Sequence, residues 1–369
     1  MKRISKRRAQ LLYNREKKWY NDSRKTKQKK SARLGNVCFV QKAFFLDKEL
    51  DKEKDMLKRK DLLGLIDVTK EELTEILDVA AEMKARLKAG DKQLSYLKGK
   101  TATILFYENS TRTRTSFELA AKYLGATVVN IAASSSSVAK GETLVDTGKT
   151  LDAQLNDFLI MRHPMGGAPY LLAKVAKAGV LNAGDGMNEH PTQALLDMLT
   201  MREHFGKLEG LKVAIVGDIK HSRVAKSNLF GLKTMGAEVR MFAPETLIPK
   251  GIDKLGAKLC SSKEEALDGA DVVMGLRIQL ERQQAGNFPS LNEYAQFYGV
   301  DGKSLKYANP NAIIMHPGPV NRGVELTGKV IDHEKSRIEE QVFSGIAVRM
   351  AVLKLLNDYR DYTKQNSEA

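Results

Sequence analysis

The 369-residue sequence is poor in the features that mark secreted, zinc-binding and membrane proteins. Its two cysteines, Cys38 and Cys260, lie far apart and belong to no CxxC or histidine-flanked pattern. They therefore indicate neither a disulfide framework nor a zinc site, and they suit a reducing cytoplasm. No apolar run approaches the roughly 20 residues that a membrane-spanning helix needs. These absences predict a cytoplasmic protein that does not enter a membrane.

Common nucleotide- and metal-binding motifs are also missing. The strand-like segment "KVAIVGD" (212–218) precedes a helical pattern, but G-x-G-x-x-G is absent and only Gly217 lies in the turn. There is no G-x-x-x-x-G-K-[ST] and no metal-ligand spacing. The sequence therefore disfavours a dinucleotide site, a P-loop and a metal centre.

The net charge of +15 comes almost entirely from one end of the chain. Residues 1–60 contain 21 Lys+Arg and 7 Asp+Glu, whereas the other 309 residues contain 39 and 38. The body of the protein is thus nearly neutral. Residues 1–35 are basic and poor in apolar periodicity, and we expect them to be unfolded on their own.

Three interpretations of this basic extension stay open. It could be an arm that binds RNA or membrane phosphates. It could be an organelle-targeting segment, although such segments usually contain more serine. It could also be sequence upstream of the natural product, because Met56 comes just before the pattern "LLGLIDVTKEELTEIL". The last interpretation is favoured because nothing downstream requires the arm, and nucleic acid is not an expected partner.

From residue 61 onward, strand-like and helix-like segments alternate in two series. The series meet near 191–205, which we predict to be a long amphipathic helix that begins with proline. Repeated βα units predict an α/β protein with two doubly wound parallel-sheet domains joined by interdomain helices. The predicted divisions are a basic extension, a first domain, a second domain, and a C-terminal helix that packs back on the first domain and ends in a tail: 1–55, 56–200, 201–338 and 339–369.

Polar clusters follow the predicted strands in both series. Ligands of parallel α/β sheets bind at the carboxyl ends of the strands, so clusters at this edge predict one binding site. The clusters are 108–114, 162–163, 185–193, 218–223, 277–282 and 316–322.

The stretch "NSTRTRTSFE" (109–118) places hydroxyls and arginines at a helix N-terminus, where unpaired backbone N–H groups favour an anion. Alone, it would more often be a helix cap with solvated arginines. The segment "SSSSVAKGE" (134–142) resembles a mobile lid that carries one lysine to the same anion, although such a segment alone is more often a linker. His190 and Gln193 lie on one helix face and could hold a carbonyl oxygen and an amine. In the second series, Arg223, Arg277, Gln279 and Arg282 favour a carboxylate substrate.

Several segments together resemble the catalytic chain of the aspartate carbamoyltransferase family, from about Leu62 to Leu356. They are "FYENSTRTRTSFELAAKYLGA", "SSSSVAKGETLVDT", "MRHP", "NAGDGMNEHPTQALLD", "VGDIKHSRVAKSN", "LRIQLERQQ" and "MHPGPVNRGVE". S-T-R-T-R with H-P-T-Q marks the wider transcarbamoylase family. R-x-Q at 277–279 and H-P-G-P at 316–319 resemble the aspartate enzyme, whereas the ornithine enzyme would show Ser-Met-Gly and His-Cys-Leu-Pro.

The resemblance implies that carbamoyl phosphate and L-aspartate are converted to N-carbamoyl-L-aspartate and phosphate in pyrimidine (UMP) biosynthesis, with no metal or organic cofactor. It implies that the first domain binds carbamoyl phosphate and the second binds aspartate. Its catalytic residues would be Arg112, Thr113, Arg162, His190 and Gln193. Carbamoyl phosphate would be held by these residues together with Ser110, Thr111 and the backbone carbonyls of Pro317 and Gly318. Aspartate would be held by Lys140, Arg223, Arg277 and Gln279.

The resemblance also implies a shared site, in which Ser136 and Lys140 come from a neighbouring subunit of a homotrimer or a multiple of it. Spacing from Lys140 favours Ser136 among the four serines 134–137. Some relatives associate with regulatory or dihydroorotase-like chains. Two positions depart from the family pattern: Asn109 stands where proline is common, and Leu280 where some relatives have lysine. A transcarbamoylase with another acceptor is the rival enzymatic interpretation.

Overall fold

The computed structural model describes residues 57–132, 141–279 and 288–368. The predicted extension, the lid residues and Arg282 lie outside these ranges. The described chain alternates strands and helices from residue 70 onward, as the sequence predicts.

The first sheet has four parallel strands in the order β2-β1-β3-β4. They are β1 (Thr101–Phe106), β2 (Thr127–Ala132), β3 (Phe158–His163) and β4 (Gly179–Asp185). The associated helices are α1 (Lys70–Lys88), α2 (Thr111–Tyr123), α3 (Leu144–Ala153) and α4 (Ala168–Val175). Every residue of β4 is buried, as expected for a strand that has helices on both faces of its sheet.

The second sheet has five parallel strands in the order β7-β6-β5-β8-β9. They are β5 (Lys212–Gly217), β6 (Glu238–Phe242), β7 (Lys258–Leu259), β8 (Val272–Leu276) and β9 (Ile313–Met315). The helices between and after them are α6 (Arg223–Thr234), α7 (Lys263–Leu267), α8 (Leu291–Phe297) and α9 (Gly328–Ile331), with short 3₁₀ turns at Glu245–Leu247, Asp253–Leu255 and Ser304–Tyr307. The two parallel sheets confirm the predicted fold class.

The long helix between the sheets, α5 (Pro191–Phe205), begins with proline and has the predicted bounds. The prediction that it is amphipathic is wrong. From Pro191 to Met201 every residue except Gln193 is buried, because the helix packs against α1, α6 and the C-terminal helix. A helix that is buried on nearly all sides lacks a polar stripe.

The C-terminal helix, α10 (Ile338–Glu368), occupies almost all of the predicted division 339–369. It packs against α1, α2 and α5. Its far end is tied to the first sheet, since Lys100 Nζ lies 2.7 Å from Asp361 Oδ1 and Arg360 Nη1 donates to the carbonyl of Asp157. In the described ranges, no helix has both the length and the apolar character that a membrane span requires.

Candidate active site

A cavity of about 500 Å³ lies where the carboxyl ends of the strands of both sheets meet. Five arginines and one glutamate, Glu108, are the charged Arg, Lys, Asp and Glu side chains among the described residues that line it. The excess of positive charge favours an anionic ligand. The predicted site residues that line the cavity are Ser110, Thr111, Arg112, Thr113, Arg162, His190, Gln193, Arg223, Arg277, Gln279, Pro317 and Gly318.

The N-terminus of α2 forms one wall of the cavity. Ser110 caps the helix, and its hydroxyl accepts a hydrogen bond from the backbone N–H of Thr113 at 3.4 Å. The first turn contains no acidic residue, so the partial positive charge of the helix end is not neutralised locally. The capping role of Ser110 and an anion-binding role are compatible, because a hydroxyl can donate its own hydrogen while it accepts another.

Arg112 extends from this turn to the loop that follows β9. Gly318 in that loop has a φ of +65°, and a Cβ built on it would lie 2.4 Å from Arg112 Nη1. Glycine suits position 318 for two reasons: it adopts the positive φ easily, and its missing Cβ leaves space for the Arg112 guanidinium. Loss of surrounding water and the positive charge of Arg277 lower the pKa of Arg112. Even so, an arginine stays charged at neutral pH.

A buried pair, His316 and Glu325, supports the loop after β9. Nε2 of His316 lies 3.2 Å from Oε1 of Glu325. The backbone N–H of Gly318 donates to His316 Nδ1 at 2.8 Å, so this nitrogen is the acceptor and Nε2 carries the proton. Burial lowers the pKa of His316. The pair thereby fixes the turn that presents the carbonyls of Pro317 and Gly318.

Glu108 joins the two sheets across the cavity. It follows β1, and its Oε2 accepts from Arg223 Nη1 at 2.9 Å. The second oxygen lies 3.3 Å from Arg223 Nη2 and 3.4 Å from Arg162 Nη2. Arg223 stands at the start of α6 and is buried, so the carboxylate offsets the cost of removing its charge from water. The sequence argument placed Glu108 in a cluster but gave it no role.

His190 directly precedes α5 and is buried. Its backbone N–H donates to Ser227 Oγ at 2.8 Å, while its Nδ1 has no hydrogen-bond partner in the part of the chain that the structure describes. Burial places the pKa of His190 well below the usual value, and the nearby arginines Arg223, Arg162, Arg349 and Arg112 add to the effect. The imidazole is therefore neutral at neutral pH and offers one N–H donor and one acceptor.

Gln279 and Arg277 follow β8 on the opposite wall. The amide nitrogen of Gln279 donates to the carbonyl of His221 at 2.9 Å, and its backbone N–H donates to Asp218 at 3.3 Å. His221 Nδ1 in turn lies 2.8 Å from Asp218 Oδ1. Because a primary amide has two N–H hydrogens, Gln279 keeps one N–H for an acceptor in the cavity, and its amide oxygen for a donor.

Arg349, on α10, is a cavity residue that the sequence argument missed. It is 3% exposed, its guanidinium lies 4.9 Å from the ring centroid of Phe117, and its Nη1 donates to the carbonyl of Gly345. Burial lowers its pKa to about 9, and Asp197 partly opposes the shift. A signal was present, since Arg349 stands alone in the apolar run "GIAVRMAVL".

The structure brings together all predicted site residues except Ser136 and Lys140, which lie outside the described residues. Besides Glu108 and Arg349, it adds Ser222 and Gln341 to the cavity wall. No group of three His, Cys, Asp or Glu residues with metal-binding geometry occurs in 57–132, 141–279 and 288–368.

Two family models match the chain in the order of the two sheets. Residues 60–203 match the "Aspartate/ornithine carbamoyltransferase, carbamoyl-P binding domain", and residues 209–356 match the "Aspartate/ornithine carbamoyltransferase, Asp/Orn binding domain". The chain belongs to the aspartate/ornithine carbamoyltransferase family. The resemblance inferred from the sequence motifs is thereby confirmed, and the cavity lies where the two matched regions meet.

Individual members of the aspartate/ornithine carbamoyltransferase family are similar over most of their length. The aspartate carbamoyltransferase catalytic subunit of Ruminiclostridium cellulolyticum is 62% identical over 300 residues, which cover 81% of this chain and 96% of that relative. A crystal structure of aspartate transcarbamoylase from Trypanosoma cruzi, in complex with carbamoyl phosphate and aspartate, is 33% identical with a TM-score of 0.73. The match covers 81% of this chain and 97% of that one.

Ornithine enzymes of the family share the fold almost equally well. The ornithine carbamoyltransferase of Thermus thermophilus has a TM-score of 0.72 at 30% identity, over 81% of this chain and 99% of that one. The backbone therefore does not identify the amino-acid acceptor.

Proposed function

We propose that the protein transfers the carbamoyl group of carbamoyl phosphate to the amine of L-aspartate, giving N-carbamoyl-L-aspartate and phosphate in pyrimidine (UMP) biosynthesis. The observation that carries this proposal is the positive cavity in which the S-T-R-T helix start of one sheet faces R-x-Q of the other. The high identity to aspartate carbamoyltransferase catalytic subunits supports it. The low cysteine content supports a cytoplasmic location.

Carbamoyl phosphate would bind against the start of α2. Its phosphate would receive hydrogen bonds from Ser110, Thr111, Thr113 and the guanidinium of Arg112, since helix N–H groups and arginine both favour phosphate. Its carbonyl oxygen would lie among the donors of Thr113, Arg162 and the neutral His190. Its nitrogen would donate to Gln193 and to the backbone carbonyls of Pro317 and Gly318.

Aspartate would bind on the second wall, where Arg223, Arg277 and Gln279 hold its two carboxylates and Lys140 contributes from the lid. The charge of Arg277 is the physical argument for aspartate over ornithine. An arginine attracts the second carboxylate of aspartate and repels the ammonium group of an ornithine side chain.

In the transfer step, the amine nitrogen attacks the carbamoyl carbon and a C–N bond forms. Negative charge develops on the carbonyl oxygen, where donors fixed in advance stabilise it more than they stabilise the ground state. The C–O bond to phosphate then breaks, and the leaving phosphate takes the amine proton. Holding two mutually repelling anions side by side accounts for a further part of the rate.

The direct test is carbamoylation of L-aspartate by the full chain, with phosphate release as the readout and L-ornithine as the control acceptor. We expect turnover with aspartate and none with ornithine. Turnover with ornithine would contradict the role of Arg277, and turnover with neither would contradict the proposed function. A chain that starts at Met56 tests whether residues 1–55 contribute.

We also propose a homotrimer, or a multiple of it, in which Ser136 and Lys140 complete the site of a neighbouring subunit. The support is the family resemblance of the "SSSSVAKGE" segment. Lys140→Ala and Arg277→Ala are each expected to be nearly inactive, because each removes one charge from the aspartate site. Dissociated and reassembled together, they should regain activity, since a mixed trimer contains some sites with neither change. A mixture that stays inactive would count against the shared site.

A further inference from the structure

The buried carboxylate of Asp197 lies behind the cavity, one helical turn after Gln193 on α5. Its side chain is 0% exposed. Three side-chain amides donate to it: Gln193 Nε2 to Oδ1 at 3.0 Å, Gln341 Nε2 to Oδ1 at 2.7 Å, and Asn228 Nδ2 to Oδ2 at 2.8 Å. These donors come from α5, α10 and α6, so one carboxylate connects three helices at the back of the site.

The amide of Gln193 is oriented by this contact. An ionised carboxylate accepts hydrogen bonds and cannot donate them, so it selects the NH₂ end of each amide that faces it. Gln193 lines the cavity, and its amide oxygen is consequently the end that remains for a ligand. A carbamoyl group presents an NH₂ donor, which requires an acceptor on the protein.

The amide of Gln341 is oriented in the same way and passes the effect to the loop after β9. While its nitrogen donates to Asp197, its oxygen accepts the backbone N–H of His316 at 2.9 Å. His316 is the residue before Pro317 and Gly318, whose carbonyls are the other proposed acceptors for the carbamoyl nitrogen. Asp197 therefore contacts Gln193 directly and the 317–318 turn through Gln341, and these two parts supply the proposed acceptors for the carbamoyl nitrogen.

The three amide donors favour the ionised form of Asp197 despite its burial. Removal from water raises its pKa to about 6, and the three amide donors and Arg349 of α10 oppose a larger shift. A buried carboxylate without such partners would be expensive.

We propose that Asp197 is a positioning residue for carbamoyl transfer, which orients the amide of Gln193 and, through Gln341, the carbonyls of the 317–318 turn toward the carbamoyl nitrogen. This inference rests on the proposed function. It differs from a purely structural role, in which Asp197 only ties α5 to α6 and α10, because it predicts selectivity for one part of the substrate.

The test compares two ligands by titration calorimetry with the full chain. Phosphonoacetamide keeps the amide NH₂ of carbamoyl phosphate and has a CH₂ in place of the bridging oxygen, whereas inorganic phosphate lacks the amide. For Asp197→Ala we expect phosphonoacetamide to bind about tenfold more weakly or worse, the size of one lost hydrogen bond to a charged group, while phosphate changes less than about twofold. Asp197→Asn keeps one oxygen for both glutamine amides and should restore most of the binding.

Asp271→Ala provides the matched control. Asp271 likewise accepts an asparagine amide, from Asn309, and in addition the backbone N–H of Lys212, but it lies at the opposite ends of the strands. This variant should lose stability without any change in the ratio of the two affinities. Should Asp197→Ala fail to fold, Asp197→Ser, which leaves room for a water molecule beside its hydroxyl, is expected to show the same selective loss.

Equal weakening of both ligands by Asp197→Ala, or no weakening, would overturn the positioning role and leave the proposed function intact. Failure of the unaltered chain to bind either ligand would instead contradict the proposed function. A double-mutant cycle on kcat/KM provides a second, independent measurement. In a Gln193→Ala background, Asp197→Ala should reduce kcat/KM for carbamoyl phosphate by a smaller factor than it does alone, whereas independent effects would multiply.

Discussion

The polar groups on the two walls of the cavity differ in whether they are hydrogen-bonded within the protein. On the wall formed by the first sheet, Arg112 has no hydrogen bond or ion pair within the part of the chain that the structure describes, and His190 Nδ1 is likewise without a partner there. On the wall formed by the second sheet, Arg223 donates to Glu108, and the amide nitrogen of Gln279 donates to the carbonyl of His221. Arg162 and Gln193 of the first wall are also paired, with Glu108 and Asp197, so the difference between the walls lies in Arg112 and His190.

The difference reflects what holds each wall in place. Arg112 stands in the first turn of a capped helix, next to the ends of buried strands, so its backbone is held in place without an ion pair. The second wall consists of loops after β5, β8 and β9, which depend on hydrogen bonds between side chain and backbone for their shape. A donor fixed by its backbone can be left for substrate, whereas a loop without internal bonds would lose its geometry.

Arg112→Ala should have the largest effect, because it removes the charge that the first wall keeps for a ligand. We expect kcat to fall by about 10²–10³-fold, as for loss of one preorganised donor, without a change in the thermal unfolding midpoint beyond a few degrees. The measurement is phosphate release, together with circular dichroism on heating. Arg114→Ala is the control, since Arg114 lies over the Phe106 ring and not among the cavity residues. Near-normal turnover of Arg112→Ala would contradict its assignment to phosphate.

Gly318→Ala should have the next largest effect, because it disturbs the contact between the walls. The added Cβ would meet Arg112 Nη1 and displace the guanidinium, and we expect kcat/KM for carbamoyl phosphate to fall by about tenfold to a hundredfold. Gly323→Ala separates this steric effect from backbone strain, since Gly323 has a φ of +84° but no atom within 4 Å of its Cβ position. Equal losses in the two variants would mean that strain alone explains the result.

Glu189→Gln should have the smallest effect, which is a change in the free energy of unfolding. Glu189 lies just before α5, the helix between the two sheets. Glu189 accepts from Leu65 N–H and from Ser227 Oγ, both on Oε2, and burial raises its pKa to about 7. The folded protein thus binds this proton more tightly than the unfolded chain does. The contribution to stability is greatest below the ordinary glutamate pKa of about 4.3 and declines as the pH rises through about 7.

Glutamine keeps an oxygen for both donors and has no charge to bury. Glu189→Gln should therefore be more stable than the unaltered protein by about 2 kcal/mol at about pH 8 and nearly equal to it at about pH 5. Urea unfolding at the two pH values measures this difference. If the free energies of unfolding of the two proteins changed with pH in the same way, ionisation of the buried Glu189 would have no cost. Glu189 would then make no contribution to the pH dependence of stability.

Much of the site could be predicted because its residues follow strands directly. Thr111–Thr113 after β1, Arg162 at the end of β3 and Arg277 after β8 are placed by local sequence and by the rule that ligands bind at strand ends. The residues that escaped prediction come from elsewhere in the chain. Arg349 reaches the cavity from a helix more than 150 residues after β4, and no local pattern indicates where such a helix packs.

The misjudged helix α5 illustrates the same limit. Its proline start is a local signal, and the bounds of the helix were predicted correctly. Its burial depends on α1, α6 and α10 covering it from different directions, which its own 15 residues do not encode. On an amphipathic helix, Asp197 would lie on the polar face. In the structure it is buried and accepts hydrogen bonds from three side-chain amides.

The sequence by itself determined the alternation of strands and helices, the two parallel sheets and the family, because each depends on hydrophobic periodicity, turn residues or motifs within short segments. Only the tertiary structure decided which side chains are held for a ligand and which are already paired. Pairs such as Glu108 with Arg223, or Asp197 with Gln341, join residues more than 100 positions apart. Hydrogen bonds and desolvation act over a few ångströms in space, and distance along the chain does not reveal them.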